Sequence, residues 1–249
     1  MERTNVILVT QARTGSTRLP GKVLLEIERE SLLLIHLNRV RKALKVTKVI
    51  VATTDLKQDE TIIEICENNN LSYFAGSEND VLDRFYQSVK DERPKWVVRV
   101  TSDCPLIDPN LIDAVISCAM VNDVDYCSNG IIENFPDGQD VEVFKFSALK
   151  RAWEEAILLS EREHVTPYIR NAKNGFSCLD FPSYTDYSKV RMTVDEAVDF
   201  QVIENLISAL GKNASWLDYT NYIINTNISE MNSKIIRNAG YLKSLKNDK

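Results

Sequence analysis

Four short apolar runs rich in β-branched residues alternate with segments of helical period, and this restricts the fold more than any other feature of the chain. Residues 5–10, 48–53, 71–75 and 96–101 read as strands. Residues 32–45 (capped by Ser31), 58–69, 80–90 (capped by Asp80) and 109–120 (opened by Pro109) read as amphipathic helices. Four strand–helix pairs in succession predict an α/β fold with a mostly parallel, doubly wound, Rossmann-like sheet. Such sheets meet ligands at the carboxyl ends of their strands, which directs attention to residues 10–22, 53–57 and 101–108.

The rhythm changes after residue 121. Strands are expected at 125–128 and 140–146, with Phe135-Pro136-Asp137-Gly138 as a turn. A helix is expected at 148–158, another over 161–171 interrupted near Pro167, and a third at 197–210. Strands at 177–181 and 189–193 are expected to pair as a hairpin-like arm. The polar stretch 229–249 carries a weak helical period. Together these predict a single domain over 1–249, with a small β arm around 130–192 and a helical tail around 229–249.

Composition narrows the class. The 249 residues include 30 Lys+Arg against 36 Asp+Glu, and this acidic balance argues against a nucleic-acid partner. The five cysteines form no C-x-x-C pair and are odd in number, which argues against a disulfide framework or a zinc site and suits a reducing, cytoplasmic setting. The apolar run Val6-Ile7-Leu8-Val9 is shorter than a secretory leader needs, and no stretch is long enough for a membrane span. The sequons at Asn213 and Asn227 are therefore expected to carry no glycan.

The chemistry concentrates in Gln11-Ala12-Arg13-Thr14-Gly15-Ser16-Thr17-Arg18-Leu19-Pro20-Gly21-Lys22, which follows the first strand. Glycines let backbone N–H groups approach an anion, arginine offers a planar fork to phosphate oxygens, and lysine a point charge. Gly15 and Gly21 are six apart and Val23 follows Lys22, so this is not a Walker loop. Composition alone leaves a phosphate site and a solvated basic turn equally open.

The segment resembles the R-x-x-S-T-R-L-P-G-K signature of CTP-using sugar nucleotidyltransferases, including 3-deoxy-manno-octulosonate cytidylyltransferases. The resemblance is greatest to the SpsF branch, named for spore coat polysaccharide biosynthesis. Further similar segments recur in order: Val51-Ala52-Thr53-Thr54-Asp55, Gly76 to Arg84, Asp103-Cys104-Pro105-Leu106-Ile107-Asp108, Phe135 to Phe144, Ser160 to Tyr168, and Thr193-Val194-Asp195-Glu196. The similarity runs from residue 5 to Arg237-Asn238-Ala239-Gly240-Tyr241. One short motif arises often by chance; seven in order do not.

The resemblance implies a nucleotide-diphospho-sugar transferase type of fold and transfer of CMP from CTP to a sugar acid or phosphorylated sugar-like acceptor, for surface polysaccharide synthesis. It implies that Arg13 and Lys22 hold the phosphates, with Lys22 neutralising charge at the α-phosphorus and Ser16 and Arg18 shaping the loop. Gln11, Ala12, Gly15, Thr53, Asp80 and Arg84 would complete the nucleotide site. Lys22, Arg13 and Asp103 would be catalytic, and Asp103 and Asp195 would bind Mg²⁺. The family carries Gly before the first of these aspartates; this chain has Ser102. A homodimer is also implied, through an arm near 176–184.

The residues themselves leave plainer alternatives. Asp195 precedes a helix and could be its cap, and Asp103 could cap the next turn. Asp140 and Glu142 fall on one face of a strand and could contact the acceptor or simply face water. His164 could bind substrate or be structural, and His36 sits in an apolar helix as packing or surface. Asp123-Val124-Asp125 spells the D-x-D that glycosyltransferases use to hold a metal, so a glycosyltransferase is one competitor. A non-catalytic nucleotide-binding subunit is another. The residues do not choose cytosine over uracil, nor name the acceptor.

Overall fold

In the computed structural model the described residues are 4–248; residues 1–3 and 249 of the expected domain lie outside them. The first half holds β1 (Val6–Gln11), β2 (Glu26–Ile27), β3 (Glu30–Ser31), α1 (Leu32–Val40), β4 (Lys48–Thr54), α2 (Glu60–Asn68), β5 (Ser72–Gly76), α3 (Val81–Val89), β6 (Trp96–Thr101) and α4 (Pro109–Asn122). The second half begins with β7 (Tyr126–Ser128), β8 (Glu142–Lys145), α5 (Phe146–Glu155), α6 (Leu159–His164), α7 (Pro167–Arg170) and β9 (Cys178–Asp180). It closes with α8 (Ala197–Leu210), α9 (Trp216–Ile224), α10 (Ser229–Asn232) and α11 (Ala239–Leu245).

Seven strands form one sheet in the order β5-β4-β1-β6-β8-β7-β9. All pairs are parallel except those of β8, which runs antiparallel to both β6 and β7. The alternation of side chains across a strand explains the two layers of helices. Val6 and Leu8 of β1 and Val98 and Val100 of β6 pack with Leu33, Leu37, Ile62, Ile112 and Ile116 on one face. Ile7 and Val9 of β1 and Val97 of β6 pack with Leu82, Phe85 and Leu149 on the other. A third apolar cluster lies under α8 and α9, built on Leu206, Ile207, Tyr219 and Ile223.

Helix starts follow the expected caps. Asp80 accepts from the Asp83 N–H at 2.9 Å, and Ser31 from the Leu34 N–H at 3.2 Å. Helix α1 ends earlier than its apolar period suggests. The Asp113 carboxylate takes the N–H groups of Leu44 and Lys45, both at 2.8 Å, and draws the chain out of the helix. The break at Pro167 is present as the gap between α6 and α7, where Val165 takes φ 71°, a strained conformation for a β-branched residue.

The arm differs from expectation. Residues 177–181 and 189–193 do not form a hairpin: β9 joins β7 in parallel, and Arg191 makes a single parallel bridge to Asp137. The short antiparallel element is instead β2–β3. Alternation reports that a segment is extended, but the partner is chosen by tertiary packing. Helix α9 lies outside the elements that the sequence periodicity marks, although Ser215 and Asp218 form a reciprocal cap there.

Gly138 decides how the second half meets the first. It has φ 103°, and a Cβ on it would stand 2.7 Å from the backbone of Met192 and Thr193. Only glycine permits this approach, which carries residues 137–140 against 191–195. Gly138→Ala is expected to lower the thermal midpoint by several degrees, corresponding to about 1–3 kcal/mol, and to displace Asp195. An unchanged midpoint in a calorimetric scan would show that the backbones are not so close.

Candidate active site

The loop after β1 is held from below. The Asp59 carboxylate accepts from the Thr14 N–H at 2.7 Å and from its hydroxyl at 2.6 Å, and also from the Thr54 hydroxyl. Gly15 lies against Gln58 and Glu78, where a Cβ would meet side-chain atoms at 3.1 and 3.3 Å. The Gly21 N–H returns to the Thr14 carbonyl at 2.9 Å, closing the loop, and Gly21 itself has φ 69°. Ser16 caps the following turn through the Leu19 N–H. The Arg13 guanidinium is half-exposed and meets Glu78 at 3.3 Å. Arg84 is buried beneath, bonded to the Ser77 carbonyl at 2.9 Å, with its Nε unpaired. Burial and the charge of Arg13 push Arg84 down to about 10. Thr53 is also fully buried, its hydroxyl unpartnered. Gln11 and Ala12 end the strand beside this loop; the Ala12 N–H bonds Ala52 and the Gln11 amide oxygen accepts from Arg99.

The charged centre is where β6 ends and the chain approaches α8. Lys22 Nζ lies 2.9 Å from Asp103, 2.9 Å from Asp195 and 2.7 Å from the Val194 carbonyl. Burial alone would depress the lysine, but the two carboxylates hold its pKa above the ordinary value. Burial alone would raise Asp103, yet the Lys22 charge holds it far below the usual carboxylate range. Arg18 reaches the same Asp195 at 2.8 Å.

The capping alternative for Asp195 does not hold. The N–H groups of Asp195 and Glu196 are both taken by Asp199 at 3.0 Å, which leaves the Asp195 carboxylate facing the cations. Arg191 fixes this arrangement from behind. It is buried, bonds Asp199 at 2.9 Å and Asp195 at 2.9 Å, and pairs with Asp137. Asn232 of α10 bonds the remaining side of Asp199 at 2.9 Å.

Two carboxylates reaching one Lys22 ammonium present hard oxygen donors to a single point. Mg²⁺ takes one or two carboxylates together with phosphates and water, so the donors fit it. Among the described residues no group of three or more His, Cys, Asp or Glu is arranged to hold a metal, so a site enclosed by protein ligands alone is not found there.

Beside this centre, Glu142 accepts from the Tyr126 hydroxyl at 2.6 Å and the Thr166 hydroxyl at 2.5 Å, and pairs with Arg99. Burial would raise Glu142, but Arg99 holds it low. Asp140 is bound by Arg237 at 2.6 Å. His164 packs edge-on against Tyr241, with ring centroids 5.0 Å apart; its buried Nε2 makes no hydrogen bond and lies 3.9 Å from the Glu163 carboxylate.

A family model described as Cytidylyltransferase matches residues 7–234. The chain belongs to the cytidylyltransferase family. It is 34% identical over 215 residues to the spore coat polysaccharide biosynthesis protein SpsF of Bacillus subtilis, covering 84% of this chain and 88% of that one. It is 42% identical over 199 residues to an uncharacterised protein of Methanocaldococcus jannaschii, covering 79% and 81%. A solved cytidylyltransferase from Leptospira borgpetersenii superposes with TM-score 0.86 at 30% identity, covering 95% of this chain and all of that one. The chain is thus a nucleotidyltransferase with the Rossmann-like sheet of its neighbours.

In this cytidylyltransferase the structure brings Lys22, Arg18, Asp103 and Asp195 together, with Gln11, Ala12, Arg13, Gly15, Ser16, Thr53 and Arg84 along the adjoining strand ends and loops. It places three residues differently from expectation. Asp80 spends its carboxylate on the cap of α3 and on a two-oxygen pairing with Arg162, so it shapes the loop and offers no free oxygen to a base. Glu142 is fully engaged within the protein, and Asp140 is already paired. Asp123 and Asp125 lie at the start of β7, the edge opposite the nucleotide loop, tied to Lys145 and Ser177, so the D-x-D does not face the site. Ser102 is absent from the residues with positive φ, so a glycine is not required there. Arg99, Arg191 and Asp199 were missed. The one available signal was a charged residue inside an otherwise apolar strand, Trp96-Val97-Val98-Arg99-Val100-Thr101.

His36 is buried and not on the surface. Its Nδ1 donates to the Cys104 carbonyl at 2.9 Å, so the neutral ring accepts the Thr10 hydroxyl at Nε2, 3.0 Å away. Burial pushes it down to about 4. A histidine whose folded pKa is depressed contributes stability that is full above the unfolded value of about 6.5 and lost as pH falls towards 4, up to about 3 kcal/mol. The His36 ring resonances in an NMR titration are expected to stay flat from pH 8 to 5; a midpoint near 6.5 would contradict the buried contact.

Proposed function

We propose that this cytidylyltransferase moves CMP from CTP to an acidic or phosphorylated sugar-like acceptor, releases pyrophosphate and serves surface polysaccharide synthesis. The observation that carries the reading is the Lys22 ammonium 2.9 Å from both Asp103 and Asp195 at the carboxyl edge of the sheet. Free of its carboxylates, the same lysine can turn to the α-phosphate, because a four-carbon stem lets one charge serve two positions. Asp103 and Asp195 would hold Mg²⁺, which supplies positive charge to the phosphate oxygens when bound.

An acceptor oxygen attacks the α-phosphorus in line, forming one P–O bond as the bond to pyrophosphate breaks. Arg13 and the N–H groups of the loop bind the leaving phosphates, and Lys22 neutralises charge at the reacting phosphorus. Arg191 and Asp199 keep Asp195 turned toward that point. A sugar phosphate attacks as an oxyanion and needs no base; an anomeric hydroxyl must lose its proton. A homodimer is part of the same reading, supported by Tyr184, which is fully exposed near the expected arm.

With CTP, Mg²⁺ and a panel of acidic and phosphorylated sugars, pyrophosphate should appear with one acceptor. Lys22→Ala and Asp103→Ala should each cut its rate by about 10²–10³-fold, the scale of one preorganised charge. Near-normal turnover by both variants would sink the assignment, and sugar transfer without pyrophosphate would move it to a glycosyltransferase. Light scattering after size exclusion should give about twice the 28.4 kDa chain mass, falling toward one chain in Tyr184→Asp. A wild-type monomer at micromolar concentration would reject the dimer.

A further inference from the structure

A cavity of about 420 Å³ lies between α6, α7, the start of β9 and α11. That volume falls in the range of small-molecule sites, roughly 300–1,000 Å³. Its apolar wall includes Leu158, Pro167, Tyr241 and Leu245. Two acids also line it, and both are already engaged. Glu161 accepts from the N–H groups of Ile157 and Leu158, each at 3.2 Å. Asp248 accepts from the Ser160 N–H at 2.9 Å and its hydroxyl at 2.5 Å.

Arg170 is different. It lines the cavity and is exposed, yet its side chain makes no hydrogen bond and no ion pair with any described residue. Its guanidinium lies over the Tyr241 ring, 5.7 Å from the centroid. Stacking on an aromatic face leaves all five N–H donors free. His164 meets the same Tyr241 from another side, its buried Nε2 without a hydrogen bond and 3.9 Å from the Glu163 carboxylate. Behind them Glu142 is hydrogen-bonded by Tyr126 and Thr166 and paired with Arg99; its charge also acts on Arg170, though no hydrogen bond joins the two. A concave, ligand-sized space thus presents one guanidinium whose N–H donors carry no hydrogen bond, beside an aromatic platform, an arrangement that suits a carboxylate or phosphate.

Tyr241 comes from the C-terminal segment, which is fastened to the charged centre at two points. Arg237 bonds Asp140 at 2.6 Å and the Phe135 carbonyl at 2.9 Å, and Asn232 bonds Asp199. The cavity wall and the carboxylate cluster are therefore parts of one connected frame.

We propose that this cavity is the subsite for the anionic group of the acceptor, bound by Arg170 over the Tyr241 platform. This rests on the cytidylyl-transfer reading above and adds to it the residue that selects an acidic acceptor.

Calorimetric titration with two probes, inorganic phosphate and a 2-keto-3-deoxy sugar acid, tests the site itself. The wild type should bind at least one probe. Arg170→Ala should weaken that binding about 10–100-fold, the size of a lost charge-assisted hydrogen bond, and Arg170→Lys should recover part of it. CTP affinity should stay as in the wild type, and the thermal midpoint should fall by no more than a few degrees, the size of the lost stacking on Tyr241. Equal probe affinity in Arg170→Ala, or no binding of either probe to the wild type, would overturn the site.

The source of the anion is settled by turnover. With the acceptor that yields pyrophosphate, Arg170→Ala should raise the acceptor KM far more than the CTP KM. An unchanged acceptor KM beside Arg170-dependent probe binding would overturn the acceptor assignment and make the anion a separate effector. No pyrophosphate with any acceptor, beside Arg170-dependent probe binding, would reject the transfer reading and the acceptor assignment together, leaving only an anion site.

Discussion

The Lys22 ammonium between Asp103 and Asp195 joins three parts of the chain that are far apart in sequence. The lysine ends the loop after β1, Asp103 follows β6, and Asp195 precedes α8. Buried charges persist only when they are paired, and removing one partner leaves the others costly. The bridge therefore locks the nucleotide edge of the sheet to the second half of the molecule. On the proposed reading it also gathers, at one point, the charges that CMP transfer would use.

The surrounding structure keeps that point in place. Gly138 brings the 137–140 loop onto the backbone of residues 192 and 193, and Arg191 then ties Asp137, Asp195 and Asp199 together. On the other side His36 clamps the end of β1 to the Cys104 carbonyl, directly after Asp103. Asp59 plays the same part for the loop, using one carboxylate to hold Thr14 and Thr54. These polar residues are buried and satisfied, and so hold the exposed ones rigidly.

The parallel half of the fold was legible because its signals are local. Each strand of β1, β4, β5 and β6 is an apolar run, and each following helix carries its own period and, at Ser31 and Asp80, its own cap. The arm was not legible, since the pairing of β9 with β7 depends on which edge the sheet leaves open. That Arg13, Gly15, Arg18, Gly21 and Lys22 share one closed loop could be read because they lie within ten residues of one another. The roles of Asp80, Asp140 and Glu142 could not, because a carboxylate reads the same in sequence whether it faces a ligand or an arginine 82 residues away, as Asp80 faces Arg162. Arg99 and Arg191 were hidden for the same reason: their partners are assembled by the fold.

The most direct test of the central claim is a crystal structure with CTP and Mn²⁺, the metal located by its anomalous scattering. The account predicts the metal between the carboxylates of Asp103 and Asp195, the phosphates on the 12–22 loop, and the Lys22 ammonium moved from the acids onto the α-phosphate. A nucleotide bound elsewhere, or a metal bound away from both aspartates with Lys22 still bridging them, would contradict it.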